Sequence, residues 1–504
     1  MLWLLILSNH RMRYHLQGVD GMKRDLQVLD KVVDIILSHR PKTSIAKGKN
    51  PSKPKKQILK ARPIGIDLFA GAGGMSLGFE QAGFDVRAAV EIDPIHCAVH
   101  KFNFPECAIL PKSIQDITGA DIRKAAGIGN AKVDVVFGGP PCQGFSLIGK
   151  RSLDDPRNRL VLDFVRIVAE LDARAFVFEN VKGLTVGKHL SFLTELIKAF
   201  EDAEYDVRTS WKVLDAADYG VPQHRERLIL FGAKRGTKVP EYPKSLTAPA
   251  DMKMKSNLPV GPTCKDALGD VPNANKFDIL NVVDEVKAKH GKLSSYADEM
   301  RCSSDNAWHY GHMRKWDSAY LTSSARTGHT QISRLRFSQT SPGSVEPISR
   351  FYKLSPTGLS NTLRAGTDGS RGAFTSPRPI HYALDRCVTV REMARLHGFP
   401  DWFRFHATKW HGARQIGNAV PPPLARAIAG EVIKALSIKP IASNNEMDLG
   451  DADLLTVGMA QACAYFEVEK PSTKRDRKSG ARKRSQTETE AARISAMNEH
   501  DSRQ

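Results

Sequence analysis

Three short segments of this sequence carry side chains whose types and spacing suit covalent chemistry on a flat, polar substrate. In Gly138-Gly-Pro-Pro-Cys-Gln-Gly-Phe-Ser146, Cys142 stands behind two prolines among turn-forming residues. A lone cysteine is ordinarily a small buried hydrophobe. A thiol on a stiffened loop can instead be presented to a substrate and activated as thiolate. Glu179-Asn-Val181 ends an apolar run. An acid at the carboxyl end of a strand would point into the crevice that Cys142 faces; the plainer reading of such a pair alone is a helix cap or a surface acid. In Gln223-His-Arg-Glu-Arg227, Arg225 and Arg227 alternate with Glu226. In an extended chain both guanidinium groups would project to one side. A nucleophile, an acid and two arginines together suit an anionic, planar substrate.

The elements that must position these groups follow from apolar runs separated by helical stretches. Ile64-Gly-Ile-Asp-Leu-Phe69, Val86 to Glu91, Val133-Asp-Val-Val-Phe137, Ala175-Phe-Val-Phe-Glu179 and Leu228-Ile-Leu-Phe231 read as buried strands, with Leu160 to Leu171 and Leu190 to Phe200 as helices between them. Alternation of this kind predicts an α/β fold, Rossmann-like, with a parallel sheet covered on both faces. The first strand runs into Asp67-Leu-Phe-Ala-Gly-Ala-Gly-Gly-Met-Ser-Leu-Gly78, a glycine-rich turn that lets a ligand approach the backbone. Glu91 follows Gly71 at the spacing where an acid grips ribose hydroxyls. A dinucleotide fingerprint counted from Gly71 fails at Ser76, where its third glycine should stand. An adenosyl ligand without phosphates fits better.

The 504 residues carry a net charge of +19 with 41% hydrophobic and 26% charged residues. Such an excess of Lys and Arg points to nucleic acid as partner. Seven scattered cysteines without a Cys-x-x-Cys pair argue against a disulfide framework or a zinc site, and for a reduced, cytoplasmic setting. His309-Tyr-Gly-His312 lacks a Cys or acid at ligand spacing, so it reads as a basic surface loop and no metal is expected. The apolar run Met1 to Leu7 is too short to span a bilayer. Met12 or Met22 is the expected initiator, which intact-mass measurement of the natural chain would decide. Five regions separate by texture: 1–60, a helical extension with apolar positions Met22, Leu26, Leu29, Val33 and Ile36 and then a basic linker; 61–235, the catalytic and cofactor-binding α/β region; 236–412, an irregular second domain; 413–438, a helix returning to the first; and 439–504, a basic and largely disordered tail.

Taken in order, these segments resemble the motif set of the cytosine-5 DNA methyltransferase family, of the bacterial restriction-modification type, over roughly residues 62 to 435. The motifs are the loop Phe69 to Gly74, Glu91, Asp116 in Gln-Asp-Ile, Pro-Pro-Cys-Gln at 140–143, Glu-Asn-Val at 179–181 and Gln-x-Arg-x-Arg at 223–227. Arg391-Glu-Met-Ala-Arg-Leu-His-Gly-Phe-Pro400 and Gln415-Ile-Gly-Asn-Ala-Val420 complete the set. Two positions depart: His397 stands where many relatives carry Gln, and Ile92 follows Glu91 where some carry an aromatic.

The resemblance implies methylation of carbon 5 of a flipped-out cytosine in a specific double-stranded DNA sequence, with S-adenosylmethionine as methyl donor. Cys142 would add to ring carbon 6, Glu179 would hold a proton at ring nitrogen 3, and Arg225 and Arg227 would orient the base. Asp67, Phe69, Gly71, Gly73, Gly74, Glu91, Asp116, Pro141 and Asn418 would bind the cofactor, and Gln143, Ser146 and Asn180 the substrate. The family's smaller target-recognition domain lies between the Gln-x-Arg-x-Arg and Arg-Glu-Met-Ala-Arg motifs. There Thr362-Leu-Arg-Ala-Gly-Thr-Asp-Gly-Ser-Arg371, with Arg364, Gly366 and Arg371, reads equally as a DNA-contacting or a solvated loop. The expected setting is a cytoplasmic monomer at the nucleoid, beside a separate cognate restriction endonuclease. The alternatives are an RNA cytosine-5 methyltransferase and a DNA-binding regulator without catalysis; intact Cys142, Glu179, Arg225 and Arg227 oppose the latter.

Overall fold

Five parallel strands, mainly apolar in sequence, form the middle of the molecule: β1 (Ile64–Leu68), β2 (Asp85–Val90), β3 (Ala108–Leu110), β4 (Val135–Gly138) and β5 (Ala175–Val181). The computed structural model describes residues 62–141, 159–185, 189–252, 256–367, 377–443 and 445–470, all within one unit that begins at Ala61. Three further strands, β6 (Tyr205–Val207), β7 (Lys212–Asp215) and β8 (Glu226–Lys234), extend the sheet. The order is β3-β2-β1-β4-β5-β8-β6, with β7 also paired to β8. The order reverses between β1 and β4, and the crevice outside the carboxyl ends at such a point is where open α/β sheets take ligands.

The expectation of a parallel sheet holds for five strands and is corrected for the rest. β8 runs antiparallel to β5, β6 and β7. The link from β7 to β8 is too short for a crossover helix, and a short link forces an antiparallel return.

Helices cover both faces. α1 (Gly74–Ala82), α2 (Pro94–Asn103), α3 (Gly119–Ala126), α4 (Arg159–Glu170) and α5 (His189–Asp202) alternate with the strands. The second region holds only short helices, α6 (Cys264–Leu268), α7 (Ser295–Met300), α8 (Gln331–Gln339) and α9 (Val390–Leu396), and two-residue strands. α10 (Lys409–Asn418) and α11 (Pro422–Ala435) then return to the sheet. Every residue of α1 is buried, because α11 lies across it. A Cβ on Gly78 would come 2.4 Å from the Ala425 Cβ, and one on Gly74 would come 2.6 Å from the Val420 carbonyl.

The second region shares a core with the first: Ala70, Leu77, Phe102 and Phe104 pack with Met393, Phe399, Trp402 and Phe403. Buried arginines replace long elements as its cross-links. Arg395 bonds Asp270 at 3.0 Å and Asp401 at 2.6 Å, and Arg386 meets Glu392 at 2.7 Å. Arg391 donates to the carbonyls of Thr322, Pro400 and Phe403. His309 and His312 are half-buried rather than a basic surface loop, and they pair with Glu299 and Asp85.

The disordered tail expected from residue 439 is also corrected. Residues 445–470 form a short strand at Glu446–Met447, a 3-10 turn at Ala452–Leu455 and α12 (Met459–Tyr465). Leu454 and Leu455 join the shared core, and Gly450 N–H donates to the Phe102 carbonyl at 2.8 Å. That burial holds the first part of the segment against the main body of the protein.

Candidate active site

At the carboxyl end of β1 the chain turns through a loop held by its own backbone and by one acid. Gly73 N–H donates to the Ala70 carbonyl at 2.9 Å, and Ala70 N–H to the Val90 carbonyl at 3.1 Å. Glu91 Oε2 accepts from Gly71 N–H at 2.8 Å, while Oε1 accepts from Asp93 N–H at 2.9 Å. Asp93 in turn caps α2. Phe69 sits in the left-handed region at φ 62, beside Gly71 at φ 56 and Gly73 at φ 100. Such backbone at a non-glycine residue costs ~1 kcal/mol or more and collects at ligand sites. Ile92 is 65% exposed at the end of β2, an apolar face that an adenine ring would cover. Asp116 is exposed after β3, and Asn418 is exposed at the last residue of α10. The partly open turn at Phe69 and Gly71, the Glu91 carboxylate and the Ile92 face fit an adenosyl group.

Three predicted cofactor residues do not face this crevice. Asp67 is 1% exposed and accepts from Ser76 Oγ behind the loop. Gly73 and Gly74 are buried as well. They are glycines because Phe104 and His100 lie under the first and Val420 against the second.

At the end of β4 the chain passes close beneath an acid. A Cβ on Gly139 would come 2.3 Å from Glu179 Oε2, so glycine there lets the carboxyl keep this position without shifting. Glu179 faces Ile229 across the β5–β8 pair, which sets Arg227 diagonally on the same face, within reach of a long side chain. Arg227 Nε lies 2.8 Å from Glu179 Oε1. Asn180 points the other way: its Nδ2 donates to the Pro140 carbonyl at 3.0 Å. It braces the loop that leads to Cys142. Pro141 is exposed at the end of this segment. Cys142, Gln143, Ser146 and Arg371 lie outside the described residues.

Arg225 also departs from expectation. It precedes β8 instead of alternating within it, and it is buried. Its guanidinium donates to the Leu363 carbonyl at 3.0 Å and the Gly417 carbonyl at 2.9 Å. Burial, with Arg227 nearby, pushes its pKa well below the usual guanidinium range. Arg225 therefore ties the segment around Leu363 to α10. Gly417 permits this, because a Cβ there would come 2.3 Å from Ala365 N. Arg364 is exposed, and Gly366 takes φ 75.

Sequence reasoning passed over two partners of this junction. Gln223 is buried, accepts from Leu363 N–H at 2.9 Å and stands 2.9 Å from His397 Nδ1. His397 Nε2 lies 3.0 Å from the Ala419 carbonyl, so Nε2 carries the proton and Gln223 donates to Nδ1. The departure at His397 was the available signal. A cleft of about 480 Å³ opens beside Arg227, lined by Val181, Lys182, Asp215, His224, Glu226 and Thr362 among others.

Residues 65–434 match the family model of C-5 cytosine-specific DNA methylases. The Type II methyltransferase M.XorII of Xanthomonas oryzae pv. oryzae is 58% identical over 408 residues, which span 81% of this chain and 93% of that protein. M1.HphI of Haemophilus parahaemolyticus, also a Type II methyltransferase, is 34% identical over 374 residues, 73% of this chain and 86% of its own. A solved structure described as a putative DNA modification methyltransferase encoded within an E. coli prophage is similar at a TM-score of 0.58 and 31% identity, covering 74% of this chain and 99% of that one. The chain belongs to the C-5 cytosine-specific DNA methylase family.

Proposed function

We propose that this methylase modifies cytosine within one specific double-stranded sequence through Cys142, as the protective partner of a separately encoded restriction endonuclease. The observation that carries the residue assignment is the Glu179–Arg227 pair, 2.8 Å apart, standing over Gly139 three residues before Cys142. The restriction setting is supported by the Type II names of M.XorII and M1.HphI. The enzyme is proposed to act as a cytoplasmic monomer; among the described residues no helix is long and apolar enough to cross a membrane.

Carbon 5 of cytosine is a weak nucleophile inside an aromatic ring. The Cys142 thiolate adds to carbon 6, and the ring becomes an enamine whose carbon 5 can attack. Bound S-adenosylmethionine supplies the electrophilic methyl group. Glu179 holds a proton at ring nitrogen 3 as negative charge develops there, and Arg227 fixes that carboxyl and offers positive charge beside it. Loss of the carbon 5 proton then expels the Cys142 thiolate. Asn180 holds the carbonyl of Pro140, and through it the approach of the nucleophile loop. Arg225 positions the recognition segment against α10 instead of touching the base. The apposition of Glu91, the 69–74 loop and Ile92 holds the adenosyl end.

Incubation with unmethylated DNA and methyl-labelled S-adenosylmethionine, followed by digestion to nucleosides, should give labelled 5-methylcytosine. Label confined to RNA under matched conditions would overturn the substrate assignment.

A further inference from the structure

Behind the cofactor loop, three polar side chains from three elements form a chain without access to solvent. Asp67 is the penultimate residue of β1, Ser76 lies in α1 and His100 in α2, and none is more than 1% exposed. Ser76 Oγ stands 2.6 Å from Asp67 Oδ2 and 3.1 Å from His100 Nε2. A hydroxyl has one proton. With Ser76 donating it to Asp67, His100 must donate from Nε2, which leaves Nδ1 a bare acceptor. Among the described residues Nδ1 has no hydrogen-bond partner, and a bare buried acceptor is better tolerated than a bare buried donor. Burial pushes Asp67 up to about 8, with the nearby Glu91 adding to the effect, and His100 down to about 3, which leaves the imidazole uncharged at neutral pH.

The chain grips the loop at both ends. Asp67 stands two residues before Phe69, which holds left-handed φ 62. The His100 ring, 4.8 Å from the Phe104 ring by centroids, floors Gly73, where a Cβ would come 3.1 Å from the imidazole and 2.5 Å from Phe104. Burying three polar groups costs free energy that an apolar trio would avoid, unless each is bonded in one fixed geometry. What that geometry fixes here is the turn from Phe69 to Gly73.

We infer that Ser76 and His100, acting with Asp67, are positioning residues for S-adenosylmethionine: they lock the left-handed turn whose backbone the cofactor meets. The inference rests on the 69–74 loop being the cofactor loop. The test is calorimetric titration of the DNA-free protein with S-adenosylmethionine, beside a melting curve and a Kd for DNA. Removing one buried hydrogen bond is worth ~1–1.5 kcal/mol, so Ser76→Ala and His100→Leu should each raise the cofactor Kd about tenfold. His100→Gln, which restores a donor toward Ser76, should recover most of that loss, and the Kd for DNA should not move. Wild-type cofactor Kd in a folded Ser76→Ala protein would overturn the inference. So would equal Kd values for His100→Leu and His100→Gln, a comparison that stands even if Ser76→Ala does not fold. Glu91→Ala separates the two levels: if it leaves the cofactor Kd unchanged, the loop assignment itself fails; if it weakens binding while the Ser76 and His100 variants do not, the positioning inference alone fails.

Discussion

Arg227 and Glu179 meet on the same face of two antiparallel strands, Nε to Oε1 2.8 Å, where Gly139 at the end of β4 leaves room for the carboxyl. Both side chains are largely shielded from water, where charged hydrogen bonds act strongly on developing charge. Arg227→Ala and Glu179→Gln should each lower kcat by about 10²–10³-fold while leaving the cofactor Kd unchanged. Single-turnover methylation of labelled DNA, set beside calorimetry, checks both; near-normal kcat in either variant would remove that residue from the chemistry.

Cys142→Ser should abolish methyl transfer and retain cofactor binding, because an alcohol is a far weaker nucleophile than a thiolate. The readout is labelled 5-methylcytosine together with calorimetric titration. Full turnover by this variant would end the covalent mechanism.

Arg225→Ala should act differently from Arg227→Ala. It strips the buried carbonyls of Leu363 and Gly417 of their donor and leaves a cavity. Unsatisfied buried groups cost ~1–3 kcal/mol each, so the melting midpoint should fall by several degrees, with activity following stability. A variant with normal stability and a selective loss of kcat would return Arg225 to the catalytic group.

The buried carboxylates of the second region set an acid limit. Burial alone would raise Glu392 and Asp401, but Arg386 and Arg395 outweigh it and hold each at about 2. A carboxyl depressed in the folded state contributes stability that is present above its unfolded value, near 4, and lost as pH falls through the folded value. The melting midpoint should therefore drop between about pH 4 and pH 2. Glu392→Gln should lower stability at neutral pH and flatten its share of that drop. A midpoint unchanged across the window would contradict the pairing.

Four of the five parallel strands were legible because each is a mainly apolar run, and Glu91 and Glu179 stand at or near the ends of two of them. β3, β6 and β7 are only three or four residues long, too short to show a period. The brace from Asn180 was missed because neighbours in a strand face opposite sides: when Glu179 looks into the crevice, Asn180 looks back to Pro140. Arg225 was misread because the alternation with Arg227 begins only at Glu226, the first residue of β8. The second region hid its order since buried arginines such as Arg391 and Arg395 tie loops together, and ties of that kind leave no periodic trace.

The burial of α1 under α11 also sets a timetable for synthesis. Gly78 leaves the ribosome more than three hundred residues before Ala425, its neighbour in the finished protein. At ~5–20 residues per second, the cofactor layer waits roughly 15–70 s with one face uncovered. The first of the described helices to be made is among the last to be sealed, so a nascent chain cannot complete this layer until the whole second region has already been translated.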